Sequence, residues 1–187
     1  MNGKQARLDR IAEDISACRA CKQGCTGRAV PGEGSPDAAV VFVGEAPGRE
    51  EAKTGRPFVG RSGKLLRQLI RLIGCDEAEV FITSPVHYLP ERGTPTAGMI
   101  GHGTEHLFAQ LDVIRPAVVV LMGATACRAV LGRKAEVAKE HGTVEEQDGR
   151  TCFITVHPAY AIRFKKGREM LETDFQVLRK LLKLKRR

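Results

Sequence analysis

The stretch Val40–Leu66, VVFVGEAPGREEAKTGRPFVGRSGKLL, decides how this chain is read. It opens on a continuous apolar run, Val40-Val41-Phe42-Val43, the pattern of a short strand buried on both faces. The run stops at Gly44-Glu45-Ala46-Pro47-Gly48. Two glycines and a proline make a tight turn, and bare Gly44 and Gly48 let a ligand approach the backbone, with Ala46 between them. Glu45 then stands at the carboxyl end of the strand, where open α/β sheets bind ligands. A second glycine-rich turn, Gly55-Arg56-Pro57-Phe58-Val59-Gly60, leads through Ser62, an expected N-cap, into the helical spacing Leu65, Leu66, Leu69, Ile70 and Ile73. Phe58 has two readings in such a loop: a hydrophobic plug beneath it, or a stacking platform for a planar ligand.

The same alternation of strand and helix recurs along the chain. Further strands are expected at 79–83, ending at Ser84, at 117–122, and at 151–156, the last entered by a hairpin through the Asp148-Gly149 turn. Residues 4–17 have the spacing of an amphipathic helix, with Leu8, Ile11, Ala12 and Ile15 on one face. Residues 91–103 hold four glycines and read as a long loop, followed by a helix from about Thr104 to Ile114. An amphipathic, basic helix closes the chain over about 168–187. The pattern predicts a single α/β domain over 1–187, a three-layer α/β/α sandwich around a central, mainly parallel four-stranded sheet. Glu45, Ser84 and His157 all fall at carboxyl ends of strands, so one crevice gathers them. His157, before Pro158, also has a plain reading as a histidine that caps onto the backbone.

The 187 residues are enough for one real core. Net charge is +8, and residues 163–187 hold ten Lys/Arg against three Asp/Glu. That concentration is either a solvated helix face or a surface for phosphates. No apolar run approaches the ~20 residues of a membrane span, and MNGKQARLDRIAEDI lacks the apolar centre of a signal peptide, so a cytoplasmic protein is expected. Of six cysteines, Cys75 follows Gly74 at a helix end, and Cys127 and Cys152, in apolar surroundings, read as buried small hydrophobes. Cys18-x2-Cys21-x3-Cys25 clusters three soft ligands beside Arg19, Lys22 and Arg28, the signature of a metal or cluster site.

GEAPG followed by acidic residues and GRPFVGRSGKLL, with HPAYAIR at 157–163 far downstream, resembles the uracil-DNA glycosylase superfamily, most closely family 4. The resemblance spans about 18–180. It implies that His157 faces a base flipped out of DNA and that the loop after it enters the minor groove, with Tyr160 or Ile162 as a wedge and Arg163 at a phosphate. It implies a [4Fe-4S] cluster on Cys18 and Cys21. The family's Lys-Cys-Arg-Pro segment corresponds to His87-Tyr88-Leu89-Pro90, and its last cysteine falls near His102. Cys25 is then the expected third ligand, with His102, His87 or His106 as the fourth, and such a Cys/His set suits zinc as well as iron–sulfur. Where the family has a base-reading Asn, this chain has Ser84, which lacks the paired donor and acceptor of an amide.

Cleaving an N-glycosidic bond leaves positive charge on the sugar and negative charge on the base. The expected roles follow. Glu45 stabilises the sugar cation and orients water; His157 donates to the base O2; backbone amides near Glu45 and Ala46 assist; Phe58 stacks on the base and Ser84 meets its edge. Ser62, Gly63 and Lys64, at a helix N-terminus, suit a phosphate. The expected partner is DNA containing a deaminated base, uracil foremost, and the protein is expected to act as a monomer. Two other functions stay open at this point: a damaged-DNA binder with weak or covalent chemistry through a loop histidine, His102 or His106, and a metal- or redox-sensing protein built on Cys18, Cys21 and Cys25.

Overall fold

The computed structural model describes residues 3–185; Met1, Asn2 and the last two arginines of the basic tail, Arg186 and Arg187, lie outside the described residues. The elements in chain order are α1 (Gly3–Ala17), α2 (Arg19–Lys22), β1 (Cys25–Thr26), β2 (Glu33–Gly34), β3 (Val40–Val43), α3 (Arg49–Thr54), α4 (Arg61–Leu72), β4 (Val80–Thr83), β5 (Leu89–Pro90) and α5 (Ala97–Ile114). Then come β6 (Val118–Met122), α6 (Ala124–Leu131), α7 (Val137–Glu140), β7 (Val144–Gln147), β8 (Arg150–Thr155), α8 (Pro158–Arg163) and α9 (Lys165–Lys185).

The main sheet has the order β2-β4-β3-β6-β8-β7. Its centre, β4-β3-β6-β8, is parallel throughout, as the four apolar runs predict. Two antiparallel edge strands extend it to six: β2, from a segment expected as loop, and β7, the first arm of the expected hairpin. The chain runs from β3 to β4 on one side, then to β6 on the other. That reversal makes a topological switch point at the carboxyl ends of β3 and β6, where a crevice opens.

Alternate side chains of the buried strands feed two cores. Val41, Val43, Val119, Leu121 and Ile154 pack with Leu8 of α1, Leu107 and Leu111 of α5, and Val130 of α6. Val40, Phe42, Val118, Val120 and Phe153 pack with Leu66 and Ile70 of α4 and Leu171, Phe175 and Leu178 of α9. These are the three layers of the expected sandwich. Cys127 and Cys152 are fully buried, and burial drives their thiols up to about 12 and about 11, as inert small hydrophobes require.

The segment 91–103 departs from its expected loop. Its second half is helix, with α5 beginning at Ala97 under a Thr96 cap whose Oγ1 accepts from Met99 N at 3.2 Å. Gly103 serves close packing rather than flexibility: a Cβ there would stand 1.8 Å from the carbonyl oxygen of Pro85. The glycine count misleads because a helix pressed against another backbone needs glycine as much as a loop does.

Candidate active site

A cleft of about 250 Å³ opens at the switch point, lined among others by Glu45, Ala46, Gly48, Phe58, Ser84 and His157. That is just below the range of about 300–1,000 Å³ typical of drug-sized ligands and suits a single base. Glu45 follows β3, Ser84 follows β4 and His157 follows β8, so the crossover topology brings together residues more than a hundred positions apart.

Glu45 is held from the helix that follows β6. Its Oε2 accepts from Thr125 Oγ1, in the first turn of α6, at 2.8 Å. His157 caps α8: its Nδ1 accepts from Ala159 N at 3.1 Å. The capping reading and the catalytic reading are therefore both satisfied by one ring. An accepting Nδ1 assigns the ring proton to Nε2, which makes Nε2–H a donor. Burial lowers the His157 pKa, opposed by the charge of Glu45, so the neutral ring prevails at neutral pH.

That shift has a sign. A depressed folded-state pKa contributes stability that is complete above the ordinary value of 6.5 and is lost as pH falls through the folded value. Melting curves between about pH 7 and about pH 5 should show this loss. His157→Asn, which keeps an acceptor for Ala159 N–H but does not titrate, should show a shallower fall. Equal slopes would remove His157 as the source.

Phe58 is set by its surroundings. Its φ is +51°, an uncommon conformation for an aromatic residue. Glu51 Oε1 accepts from Val59 N and Gly60 N, both at 2.8 Å. Arg67 donates to the Pro57 and Phe58 carbonyls at 3.2 and 3.3 Å. Gly63, buried in the first turn of α4, lets the Phe58 carbonyl pass where a Cβ would stand 1.8 Å away. The Phe58 ring lies over Gly44 and 5.9 Å from the His157 ring, centroid to centroid. The ring is thus fixed at the cleft wall by a clamp that over-determines a strained backbone.

Glu51 and Arg67, the parts of that clamp, and Thr125 are the residues missed by sequence reasoning. Glu51 also corrects the expected cap of α4. The N-cap is Gly60, not Ser62, because the Glu51 carboxylate covers that helix end. The available signal was an acidic residue just after the first glycine turn, which composition does not separate from Glu50 beside it. Ser62 lines the cleft and Lys64 is exposed. Ser84 lines it too, with its hydroxyl donating to Val86 O at 2.8 Å. Of the wedge candidates, Tyr160 is exposed and meets exposed Phe164 at 5.0 Å, whereas Ile162 packs against the α4/α9 core. Arg163 is exposed beside them.

The metal ligands group differently from expectation. Donor atoms of Cys18, Cys21, His102 and His106 all lie within 4.8 Å of one another, and Cys18 Sγ is 3.1 Å from His102 Nε2. Burial raises the Cys18 thiol, but hydrogen bonds from His106, Cys21 and His102 outweigh it and bring it down to about 6. Cys25 is outside the group. The turn through Gly24 (φ +66°) carries it into β1, opposite Pro90, where it packs with Tyr88. His106 joins because α5 extends further back than expected, which puts residues i and i+4 on one face. His87 is fully buried, edge-on to His106, and is not a member. The four residues are compatible with a metal or iron–sulfur site. None of the four is among the residues that line the cleft, and both histidines lie on α5 rather than on a loop.

An α/β sandwich with a carboxylate, a neutral imidazole and a fixed aromatic at its switch point has the make-up of an enzyme site. Residues 31–181 match the family model of the uracil DNA glycosylase superfamily. The chain is 37% identical over 186 residues to a type-4 uracil-DNA glycosylase of Sulfurisphaera tokodaii, covering 93% of this chain and 84% of the relative. It is 34% identical to the type-4 enzyme of Thermotoga maritima over 98% of both chains. A type-5 uracil-DNA glycosylase of Pyrobaculum aerophilum is 33% identical over 82% of this chain and 75% of its own. The chain belongs to the uracil-DNA glycosylase superfamily.

Proposed function

We propose that this protein is a DNA glycosylase that takes a deaminated base, uracil foremost, out of the helix and hydrolyses its N-glycosidic bond. The observation that carries this reading is the convergence of Glu45, His157 and Phe58 on one base-sized cleft. The bond between sugar and base breaks, the oxygen of a water molecule joins the anomeric carbon, and the base leaves with a proton.

Phe58 stacks on the extruded base. The Nε2–H of His157 donates to the base O2 as negative charge develops there, a type of interaction worth about 3 kcal/mol. Glu45, steadied by Thr125, stabilises the sugar cation and orients the water. Backbone N–H groups by Ala46 and Gly48 supplement His157, and Gly44, where a Cβ would stand 2.7 Å from the Phe58 ring, lets that ring lie against the end of β3. The first-turn N–H groups of Ser62 and Gly63, with the Lys64 ammonium, suit a backbone phosphate. Exposed Tyr160 and Arg163 suit the minor groove and a further phosphate, and the basic outer face of α9 extends that track. No described helix is long and apolar enough to cross a membrane. Free thiols at all six cysteines fit a reducing cytoplasm, and the reading extends to a single-domain monomer there. The Cys/His cluster stands apart from the cleft, and no step of the reaction passes through it.

Ser84 bears on the choice of base. With its proton committed to Val86 O, its oxygen offers only acceptance to a base N–H. Uracil, hypoxanthine and xanthine each present such an N–H, so the contact discriminates weakly. Ser84→Asn should raise the preference for uracil by about 5–150-fold, the worth of a good bidentate contact. Competition between uracil and hypoxanthine oligonucleotides measures it; an unchanged ratio would mean that Ser84 does not touch the base.

The reading as a whole is tested with single- and double-stranded oligonucleotides carrying uracil, hypoxanthine or xanthine, resolved on denaturing gels with and without alkali. Alkali-dependent cleavage at the modified position is the expected result. No cleavage of any substrate would overturn turnover and leave a damage-binding protein.

A further inference from the structure

We propose that Cys18, Cys21, His102 and His106 form a mononuclear zinc site that takes the place of an iron–sulfur cluster in this chain. The donor set is the first ground. A four-iron cluster calls for four thiolates, one beneath each iron, spread around the whole cluster. Only two thiols are in the group. The third nearby thiol, Cys25, lies in β1 outside it, and the positions that correspond to mid-chain cysteines hold Tyr88 and His102. Tyr88 is committed elsewhere, its hydroxyl donating to Ser16 O at 3.1 Å.

Geometry is the second ground. Tetrahedral zinc, with bonds of about 2.0–2.3 Å, separates its donors by about 3.3–3.8 Å. The four donors lie within 4.8 Å of one another, and one sulfur–nitrogen pair is 3.1 Å apart, values that bracket a single centre. A two-iron centre with paired cysteines and paired histidines keeps its thiolates on one iron and its imidazoles on the other. Here a sulfur and a nitrogen sit in direct contact, which places both at one ion. Two thiols at a C-x2-C spacing and two imidazoles at an H-x3-H spacing on one helix face are the ligands structural zinc takes.

The ion would act as a staple. Cys18 and His102 are 84 positions apart, so it would tie the segment after α1 to α5. From that segment the chain continues into β1, which pairs with β5, and Glu91 N donates to Gly24 O at 3.1 Å. Leu89 and Gly93, on this tied strip, line the cleft. Zinc would therefore hold one wall of the base pocket in place without touching substrate. Binding displaces the thiol protons and transfers no electron.

The experiment is elemental analysis, visible spectroscopy and thermal melting of the full chain, produced in medium supplemented with both iron and zinc. The expected result is about one zinc per chain, negligible iron, no visible chromophore and a lower melting temperature after chelation. About two or four irons per chain with a visible chromophore would overturn the proposal in favour of a cluster. Neither metal, with no melting shift on adding zinc, would overturn it in favour of no site. Cys18→Ser and His106→Ala should each weaken zinc retention at least about tenfold, and His106→Cys should restore it. Cys25→Ser should retain zinc in full; its loss there would overturn the ligand assignment. These readouts do not depend on base excision, so failure of either proposal is visible without the other.

Discussion

Glu45→Gln and His157→Ala each lower the single-turnover rate of base excision by about 10²–10³-fold and leave affinity for damaged DNA largely intact. Glu45→Gln keeps the shape and the hydrogen bond from Thr125 but removes the charge to which we assign stabilisation of the sugar cation. In the proposed role His157 donates to charge that exists only in the transition state, so the loss in His157→Ala is expected to fall on rate rather than binding. In the proposed mechanism the two residues act on opposite ends of one breaking bond, so the double variant is expected to lose less than the product of the two. Excision kinetics on a uracil oligonucleotide, with binding followed by fluorescence anisotropy, read both quantities. Wild-type rates in both variants would remove them from the reaction centre. His157→Ala also removes the cap of α8, whereas His157→Asn keeps a cap and lacks the imidazole. An equal rate loss in the two variants would assign the effect to the ring.

The second large effect belongs to a residue outside the reacting centre. Glu51→Ala destabilises the protein by about 2–4 kcal/mol, because two backbone N–H groups lose a charged acceptor in a half-buried turn. For a chain of this size that lowers the melting temperature by roughly 5–15 °C. The same change frees the turn that holds Phe58 in its left-handed conformation. Excision therefore falls beyond the loss of folded protein, and the deficit appears as weaker capture of the flipped base. Glu51→Gln retains an acceptor oxygen and should recover roughly half of the stability. Thermal melting together with excision at a temperature where every variant is folded separates the two parts. A stable Glu51→Ala protein would show that Arg67 and Gly63 alone hold the turn.

The parallel sheet, its three layers and the convergence of Glu45, Ser84 and His157 were legible in the sequence. Short runs such as Val40–Val43 and Val118–Met122 state burial on both faces by themselves, and the glycine turn after the first marks a strand end. The hairpin at Asp148-Gly149 was legible for the same reason, since local backbone chemistry specifies it. Short-range pattern in this chain therefore encodes strand, turn and the order in which they come, and through that order the strand ends that converge.

Long-range pairings that no strand end marks came from packing alone. Glu51 and Arg67 fix Phe58 from two different helices, and Thr125 reaches Glu45 across 80 positions. His106 replaced Cys25 in the Cys/His group because a glycine-rich segment became helix against the Pro85 carbonyl. In that segment local propensity pointed to loop, and packing against a neighbouring backbone prevailed. Glycine's low helix propensity works against the helix by about 1 kcal/mol per residue, less than the buried face of α5 returns through Ile100, Leu107, Leu111 and Ile114. The ligand set is decided there, by contacts that no local pattern contains.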